Sequence, residues 1–244
     1  YANREPRFYA SVAYNGVTWW LTNATQSSDR GPYRSWYYRG ETEGMSNSLN
    51  WLQTGIGLMK YVRPTDTNDD KNINGEFSHI SKKADPLIRY ADILLMYAEA
   101  LNELDGSYQI ETWDNSGTHS ISRNEDELKK GVQPVRIRAG IPDFTPEEYG
   151  NKELFRKKIK RERQIELMAE GQRYFDLRRW KTAEKDLNQP LMGFRIERQD
   201  NGVVSTHEFV VDGQRKFNTK MYYSPIPYSE MQLNTNLVQN PGWR

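Results

Sequence analysis

The residues of this chain that could do chemistry form two sets. The first is aromatic. Trp19-Trp20, Trp36-Tyr37-Tyr38 and Trp51 are interleaved with Asn15, Asn23, Asp29, Arg30 and Arg34. Sugars present apolar C–H faces and polar hydroxyl edges. A flat ring can cover the first while amide, carboxylate or guanidinium groups hydrogen-bond the second. The candidate ligand contacts are therefore Trp19, Trp20, Trp36, Tyr37, Trp51, Asn23 and Arg34. The competing reading is that these rings pack beneath long loops.

The second set is carboxylate. Glu166, Glu170 and Asp176 share a stretch with Arg173 at spacings of three and four, within reach of one another on a helix. Glycoside hydrolysis needs two carboxyls flanking a cleft about 5–10 Å apart. A segment this dense in arginine is better suited to ion pairs, so no catalytic residue is expected. Asp70-Lys71-Asn72-Ile73-Asn74-Gly75 fits the first half of a calcium loop, but Ser81 stands where the bidentate Glu belongs. A surface turn is the expectation there. His79, His119 and His207 show no metal spacing, so no metal site is expected. There is no phosphate-binding glycine loop and no G-x-S-x-G, and no cofactor is expected. The basic run Arg156, Lys157, Lys158, Lys160, Arg161 and Arg163 reads as an ion-paired or solvated helix face, and no nucleic-acid partner is expected.

Composition narrows the classes further. The chain has 244 residues, no cysteine, a formal net charge of +1 and 36% hydrophobic residues. Absence of cysteine excludes disulfides, thiolate zinc sites and thiol nucleophiles. The balanced charge argues against a globally basic nucleic-acid binder. No run approaches the roughly 18–20 apolar residues of a membrane span. Aromatics reach 12%, and four of the seven Trp lie in the first 51 residues.

The elements that must position these residues read in three parts. Residues 1–80 are loop-rich and aromatic-rich, with only short elements expected. Residues 81–189 are helical. Asp85-Pro86 is a start signal, and Leu87, Ile88, Ala91, Leu94, Leu95, Ala98, Leu101 and Leu104 follow at helical spacing up to Asp105-Gly106. Glu125–Ala139 is a second helix with expected interruptions near Gly131 and Pro134. Thr145-Pro146-Glu147-Glu148 opens the next, and Asn151 to about Leu187 is the longest helical stretch. Gly171 within it either permits close packing or marks a break. Residues 190–244 form a hairpin, Gly193–Arg198 with His207–Val211 around Asp200-Asn201-Gly202, then a tail punctuated by Pro225, Pro227 and Pro241. Helix pairs of this kind stack as repeats, but stable stacks use roughly three or more. Two pairs here imply further partners, on an upstream segment or another chain. The Tyr1 start without a signal sequence also predicts a processed protein or a piece of a longer one.

Several stretches together resemble the SusD/RagB family of nutrient-binding outer-membrane lipoproteins. Arg4-Glu5-Pro6-Arg7-Phe8-Tyr9-Ala10 is similar to its "DPRF" segment, with Glu5 in place of the usual Asp. Ile88-Arg89-Tyr90-Ala91-Asp92-Ile93-Leu94-Leu95-Met96-Tyr97-Ala98-Glu99-Ala100 resembles its most recognisable helix. Val135-Arg136-Ile137-Arg138-Ala139-Gly140 resembles "VRxRAG", although Pro134 precedes it. Glu162-Arg163-Gln164-Ile165-Glu166-Leu167 and Glu170-Gly171-Gln172-Arg173-Tyr174-Phe175-Asp176-Leu177-Arg178-Arg179-Trp180 resemble "ERxxEL…EGxRxxDLxRW". Ser224-Pro225-Ile226-Pro227 and Gln239-Asn240-Pro241-Gly242-Trp243 resemble the closing "PIP" and "QNPGW". A polar insert surrounds His119.

The resemblance implies a mainly α fold of tetratricopeptide-like helix pairs, with extensive loops and a small β-hairpin, covering the C-terminal portion of such a protein. It implies non-enzymatic oligosaccharide binding at the outer face of the cell outer membrane. A lipid anchor on an upstream Cys absent here, and delivery to a SusC-like TonB-dependent transporter, are implied with it. A peptide-binding helical scaffold and, more remotely, a glycoside hydrolase are the alternatives.

Overall fold

The computed structural model describes residues 1–21, 31–41, 44, 52, 54–62, 86–213 and 215–243. The expected contacts Asn23 and Trp51 and the calcium-like segment 70–75 lie outside these residues. In order, the elements are α1 (Pro6–Ser11), β1 (Val12–Tyr14), β2 (Thr18–Leu21), β3 (Gly31–Arg34), β4 (Ile56–Leu58), α2 (Tyr90–Glu103), β5 (Ser107–Glu111), β6 (Thr118–Ser122), α3 (Glu125–Arg138), α4 (Pro146–Gly150), α5 (Lys152–Glu166), α6 (Gln172–Arg179), α7 (Ala183–Leu187), β7 (Leu191–Arg198), β8 (Val204–Asp212) and α8 (Tyr228–Leu233). The chain forms two compact units, Tyr1–Ser35 with Leu58–Glu170 and Trp36–Gly57 with Gly171–Arg244.

The first unit is built on helices whose ends are specified locally. Asn124 accepts from the Glu127 amide at 2.9 Å to start α3. Glu125, Asp126 and Glu127 fill the first turn and Arg136 and Arg138 the last, the order the helix dipole favours. Thr145 and Glu148 make a capping box for α4, and Asn151 caps α5 through the Leu154 amide at 3.0 Å. The tetratricopeptide-like pair α2 and α3 packs together, and α5 packs on α2. Leu95, Ala98 and Leu101 of α2 meet Leu128, Val132 and Val135 of α3 and Phe155 and Ile159 of α5 in one core. Rings of Phe144, Tyr149 and Phe155 lie 5.7 to 6.0 Å apart beside it.

Three sequence expectations are corrected here. The helix expected from Asp85-Pro86 begins at Tyr90, with Arg89 as an extended cap, so Leu87 and Ile88 precede it and are exposed. Helix α3 runs unbroken through Gly131 and Pro134. A Cβ at Gly131 would sit 2.5 Å from the Leu94 carbonyl oxygen and 2.8 Å from the Ala98 Cβ, so this glycine sets how closely α3 approaches α2. The stretch Asn151–Leu187 is three helices, not one. Gly171, with φ +79° and no atoms where its Cβ would be, marks the break rather than a close contact.

The carboxylates form a network across elements, not the expected series along one helix. Arg7 of α1 donates to Glu162 at 2.7 Å and Glu166 at 3.1 Å. Arg136 reaches Glu162 at 2.5 Å and Arg138 reaches Glu166 at 2.6 Å. Arg89 bridges Glu166 at 2.9 Å and Glu170 at 2.7 Å, and Lys60 pairs with Glu170. Arg163 turns the other way, to Asp92 at 2.8 Å. Lys60 also donates to the Glu166 and Met168 carbonyls at 2.9 and 3.0 Å, and Arg89 to the Glu166 carbonyl at 3.0 Å. Two cations thus close the C-terminus of α5, where carbonyl groups are unpaired and the dipole is negative. Arg173 takes no part in this network. It approaches Asp186 at 3.6 Å, while Asp176 holds Arg179 at 2.8 Å.

The second unit is the hairpin and the tail. Strands β7 and β8 pair antiparallel from Leu191↔Asp212 to Arg198↔Val204. The Phe194 amide donates to the Thr54 carbonyl at 3.1 Å, and Gly55, at φ +69°, has no room for a Cβ against the Phe194 carbonyl. Leu177, Ala183 and Phe217 make a small core under Trp180, Leu187, Met221 and Tyr222. Arg178 donates to the Met221 carbonyl at 2.5 Å and to that of Tyr222. Gln239 brackets Ile226, accepting from its amide at 2.8 Å and donating to its carbonyl at 2.9 Å. The Trp243 indole N–H donates to the Lys220 and Tyr223 carbonyls at 3.0 and 2.9 Å. The motif residues of the tail are its fasteners.

The chain is mainly helical, as expected, but carries more β-hairpins than the one anticipated. β2 pairs with β3, and β5 with β6, the latter filling the polar insert around His119.

Candidate functional site

Each unit carries aromatic groups from the expected set. In the first unit they stand on the β2–β3 ribbon. Its register sets Thr18 opposite Arg34, Trp19 opposite Tyr33, Trp20 opposite Pro32 and Leu21 opposite Gly31. Directly opposed side chains share a face. Trp19, partly buried, and Tyr33, 44% exposed, therefore stand opposite one another on one face of the ribbon. Arg34 anchors the ribbon's base, its Nε donating to the Gly16 carbonyl at 3.1 Å. The Ser35 amide donates to the Val17 carbonyl at 2.9 Å and the Gly16 amide to the Ser35 carbonyl at 2.8 Å, so the base is closed by backbone bonds. Arg34 is exposed beyond that contact.

A four-ring cluster lies in the same unit. Tyr1 stacks on Phe8 at 5.8 Å, Phe8 on Tyr14 at 5.4 Å, and Tyr9 meets Phe8 edge-on at 5.5 Å. Tyr1 and Tyr9 keep exposed rims. Burial pushes the Tyr1 phenol above its ordinary range, partly offset by the Arg4 charge.

In the second unit Trp36 is partly buried and lies 5.7 Å from Tyr38. Tyr37 and Tyr38 are buried. Arg198 donates to the Tyr38 hydroxyl at 3.1 Å and its guanidinium lies 5.6 Å from that ring. The Arg39 amide pairs with the Ile196 carbonyl at 3.0 Å, which ties this aromatic segment to the hairpin. Trp36 is thus the ring of this segment that keeps solvent access.

The sequence reading passed over Tyr33, which counted only as one aromatic among many. The available signal was two short aromatic segments separated by the polar sequence 22–30, which sets Trp19 opposite Tyr33 once the register of β2 with β3 is known. The Tyr1–Phe8–Tyr9–Tyr14 cluster had no signal beyond composition.

The carboxylates are arranged for structure. Glu162, Glu166 and Glu170 each accept from two or more cations within the network above. Burial raises the Glu170 pKa, but hydrogen bonds from Arg89 and Lys60 outweigh it and hold the carboxyl below its usual range. A general acid for glycosidic cleavage needs the opposite shift. The basic run is also engaged: Arg156 with Glu103 at 2.6 Å, Lys158 with Glu148 at 2.5 Å, and Arg163 with Asp92.

A groove of about 410 Å³ opens between α2 and α3, lined by Arg89, Tyr90, Ala91, Leu94, Pro134, Val135 and Arg138. Tyr90, Ile93, Met96 and Ile137 are exposed on these two helices. No helix among the described residues is long and apolar enough to cross a membrane.

The chain as a whole is similar to known proteins. A model of the SusD family (SusD/RagB) matches residues 1–243. The SusD-like protein P2 of Formosa agariphila is 31% identical over 160 residues, 64% of this chain and 25% of that protein. A SusD-like protein of Bacteroides fragilis has a crystal structure that superposes with a TM-score of 0.71 at 26% identity, over 100% of this chain and 40% of that one. A SusD-like carbohydrate binding protein of the same species superposes with a TM-score of 0.66 at 26% identity, over 97% of this chain and 42% of that one. The chain therefore spans well under half the length of these relatives. Seven residues from the segments that carried the sequence resemblance, Arg7, Arg89, Arg136, Arg138, Glu162, Glu166 and Glu170, join in one ion-pair network with Lys60, and the family match spans both units. The chain belongs to the SusD family.

Proposed function

We propose that this chain is part of a surface protein that binds oligosaccharides without cleaving them. The ligand-contacting residues are drawn from Trp19, Trp20, Trp36, Tyr37, Trp51, Asn23 and Arg34. The observation that carries this reading is the Trp19–Tyr33 pair, two rings on one face of a ribbon whose base is hydrogen-bonded shut. Such a preformed face can stack on a sugar at little ordering cost. The carbohydrate-binding description of the Bacteroides fragilis relative supports the ligand class. The pairing of Glu162, Glu166 and Glu170 with arginines supports binding without hydrolysis. In the same reading the parent protein is lipid-anchored at the outer face of the outer membrane and delivers its cargo to a SusC-like TonB-dependent transporter.

Isothermal titration against plant, host and microbial oligosaccharides tests the reading, with Trp→Ala variants at positions 19, 20, 36 and 51. Saturable binding to one glycan class, weakened in at least one variant, is the expected result. Absence of binding by a folded protein that contains all these residues would overturn it.

The α2–α3 groove favours a second reading, a helical scaffold for a peptide. Its apolar lining suits the apolar face of an amphipathic segment. Peptide binding that is indifferent to sugar, and lost on changing Tyr90 to Asp, would establish it.

A further inference from the structure

The β5–β6 hairpin stands apart from the aromatic groups discussed above. Its register divides it into two faces. Ser107, Gln109, Glu111, Thr118, Ser120 and Ser122 lie on one, and Tyr108, Ile110, His119 and Ile121 on the other. Of the apolar face, Ile121 packs against the core, while Tyr108 and Ile110 are about half exposed. At the tip, Trp113 is 97% exposed. Single exposed apolar residues are ordinary on a protein surface. Here three of them, two aromatic, fall within one short hairpin and follow one another towards its tip.

The tip is a built structure. The Thr112 amide donates to the Gly117 carbonyl at 2.9 Å, and the Gly117 amide returns to the Thr112 hydroxyl at 3.0 Å. Asp114 accepts from the Ser116 amide at 3.1 Å and the Ser116 hydroxyl at 2.7 Å. The Asn115 amide donates to the Thr112 carbonyl at 2.9 Å, with Asn115 itself at φ +57°. Trp113 is therefore presented by a closed loop. The same tip carries a shallow hollow of about 450 Å³ lined by Glu111, Asn115, Ser116, Gly117 and Thr118, residues that flank Trp113 in sequence. That volume falls in the ~300–1,000 Å³ range of small-ligand sites. The lining is hydroxyl, amide and carboxylate, the groups that hydrogen-bond sugar hydroxyls.

We propose that the β5–β6 hairpin tip is a second carbohydrate contact, in which Trp113 stacks on a neutral sugar ring and Glu111, Asn115, Ser116 and Thr118 meet its hydroxyls. The proposal rests on the glycan-binding reading above and adds a site that the aromatic residues near the beginning of the chain do not include. The hairpin Ser107–Ser122 contains Glu111 and Asp114 and no Lys or Arg. Hydrogen bonds from Ser116 and Thr112 hold the Asp114 carboxyl down to about 2, so it is charged throughout the ordinary pH range. Uronic-acid or sulfated chains meet repulsion at this tip, and neutral glycans do not.

The test is native electrophoresis of the protein through gels containing neutral polysaccharides (starch, β-glucan, xylan, mannan) or acidic ones (alginate, pectin). Wild type is run beside Trp113→Ala, Trp113→Phe and Trp19→Ala. The expected result is retardation of wild type in a neutral polysaccharide, a three-fold or greater loss in Trp113→Ala, and partial recovery in Trp113→Phe. Iodide quenching supplies an independent readout. Trp113 is 97% exposed, so the quenchable tryptophan signal should fall in Trp113→Phe, and the retarding polysaccharide should shield that part of it in wild type. Equal retardation of wild type and Trp113→Ala overturns the tip site alone and leaves the glycan reading standing. If Trp113→Ala instead loses a protein partner while sugar binding is unchanged, the hairpin is a protein-docking element and the proposal fails. If neither neutral nor acidic polysaccharide retards the wild type, the glycan reading falls and the tip site with it.

Discussion

Arg163 donates to the Asp92 carboxylate at 2.8 Å with both side chains buried, joining α5 to the first turn of α2. The residues are separated by 71 positions in sequence. A buried pair of this kind is weak evidence of net stabilisation, because desolvation offsets the attraction. Removing one partner of a buried pair costs about 3–5 kcal/mol when the other charge is left alone. Glu99 stands 3.7 Å from Arg163 and offsets part of that loss, so Asp92→Ala should lower the urea midpoint by less than the full cost. Asp92→Leu combined with Arg163→Met should recover most of the loss. Equal midpoints for wild type and Asp92→Ala would show that the pair is solvated in solution.

Glu170 responds to pH in a defined direction. Arg89 and Lys60 hold its carboxyl below its ordinary value of 4.5. A carboxyl depressed in the folded state adds stability above its unfolded value, and that contribution fades as pH falls through the folded value. Between pH 7 and about 5 the contribution is constant. Below the unfolded value of 4.5 it declines. Urea titrations at pH 7 and pH 3.5 should show a steeper loss in wild type than in Glu170→Gln. Parallel losses would remove Glu170 from the acid sensitivity of this unit.

Two glycines should give losses of different origin. Gly131→Ala would gain about 1 kcal/mol in helix propensity. Its Cβ would stand 2.5 Å from a backbone oxygen of α2, and overpacking of that kind costs about 1–3 kcal/mol. Net destabilisation is expected because the obstructing atom is backbone. Gly171→Ala meets no atoms but must adopt φ +79°, a strain of about 1–2 kcal/mol. Gly171→Asn should be tolerated better than Gly171→Ala, whereas Gly131→Asn should be worse than Gly131→Ala. Thermal unfolding of the four variants checks both orders.

These positions also show what was legible in the sequence. The apolar spacing of Leu95, Ala98 and Leu101 revealed helix α2, and Thr145 with Glu148 revealed the start of α4, because both signals are local. Glu166 and Glu170 lie four apart, so local reasoning joined them along one helix. Their partners Arg7, Lys60 and Arg89 are distant in sequence, and no spacing rule connects them. Gly131 read as a break because its effect on propensity is visible in sequence and its contact with the Leu94 carbonyl is not. Among the aromatics, composition singled out Trp19 and Trp36 but could not separate them from buried Tyr37. Only the register of β2 with β3 supplied Tyr33 as the partner of Trp19.

That register sets the final prediction. If Trp19 and Tyr33 cover a sugar face together, each ring contributes stacking worth about 0.5–1.5 kcal/mol beyond its area. Trp19→Ala should weaken binding of the recognised glycan about 3- to 10-fold, and Tyr33→Ala by a similar factor. The double variant should lose less than the product of the two, because both rings would cover the same face of one ligand. Trp36→Ala, in the other unit, is measured beside them on the same glycan. Unaltered affinity in both Trp19→Ala and Tyr33→Ala, with unaltered unfolding temperatures, would remove that face of the ribbon from the binding surface and move the weight to Trp20 and Trp36.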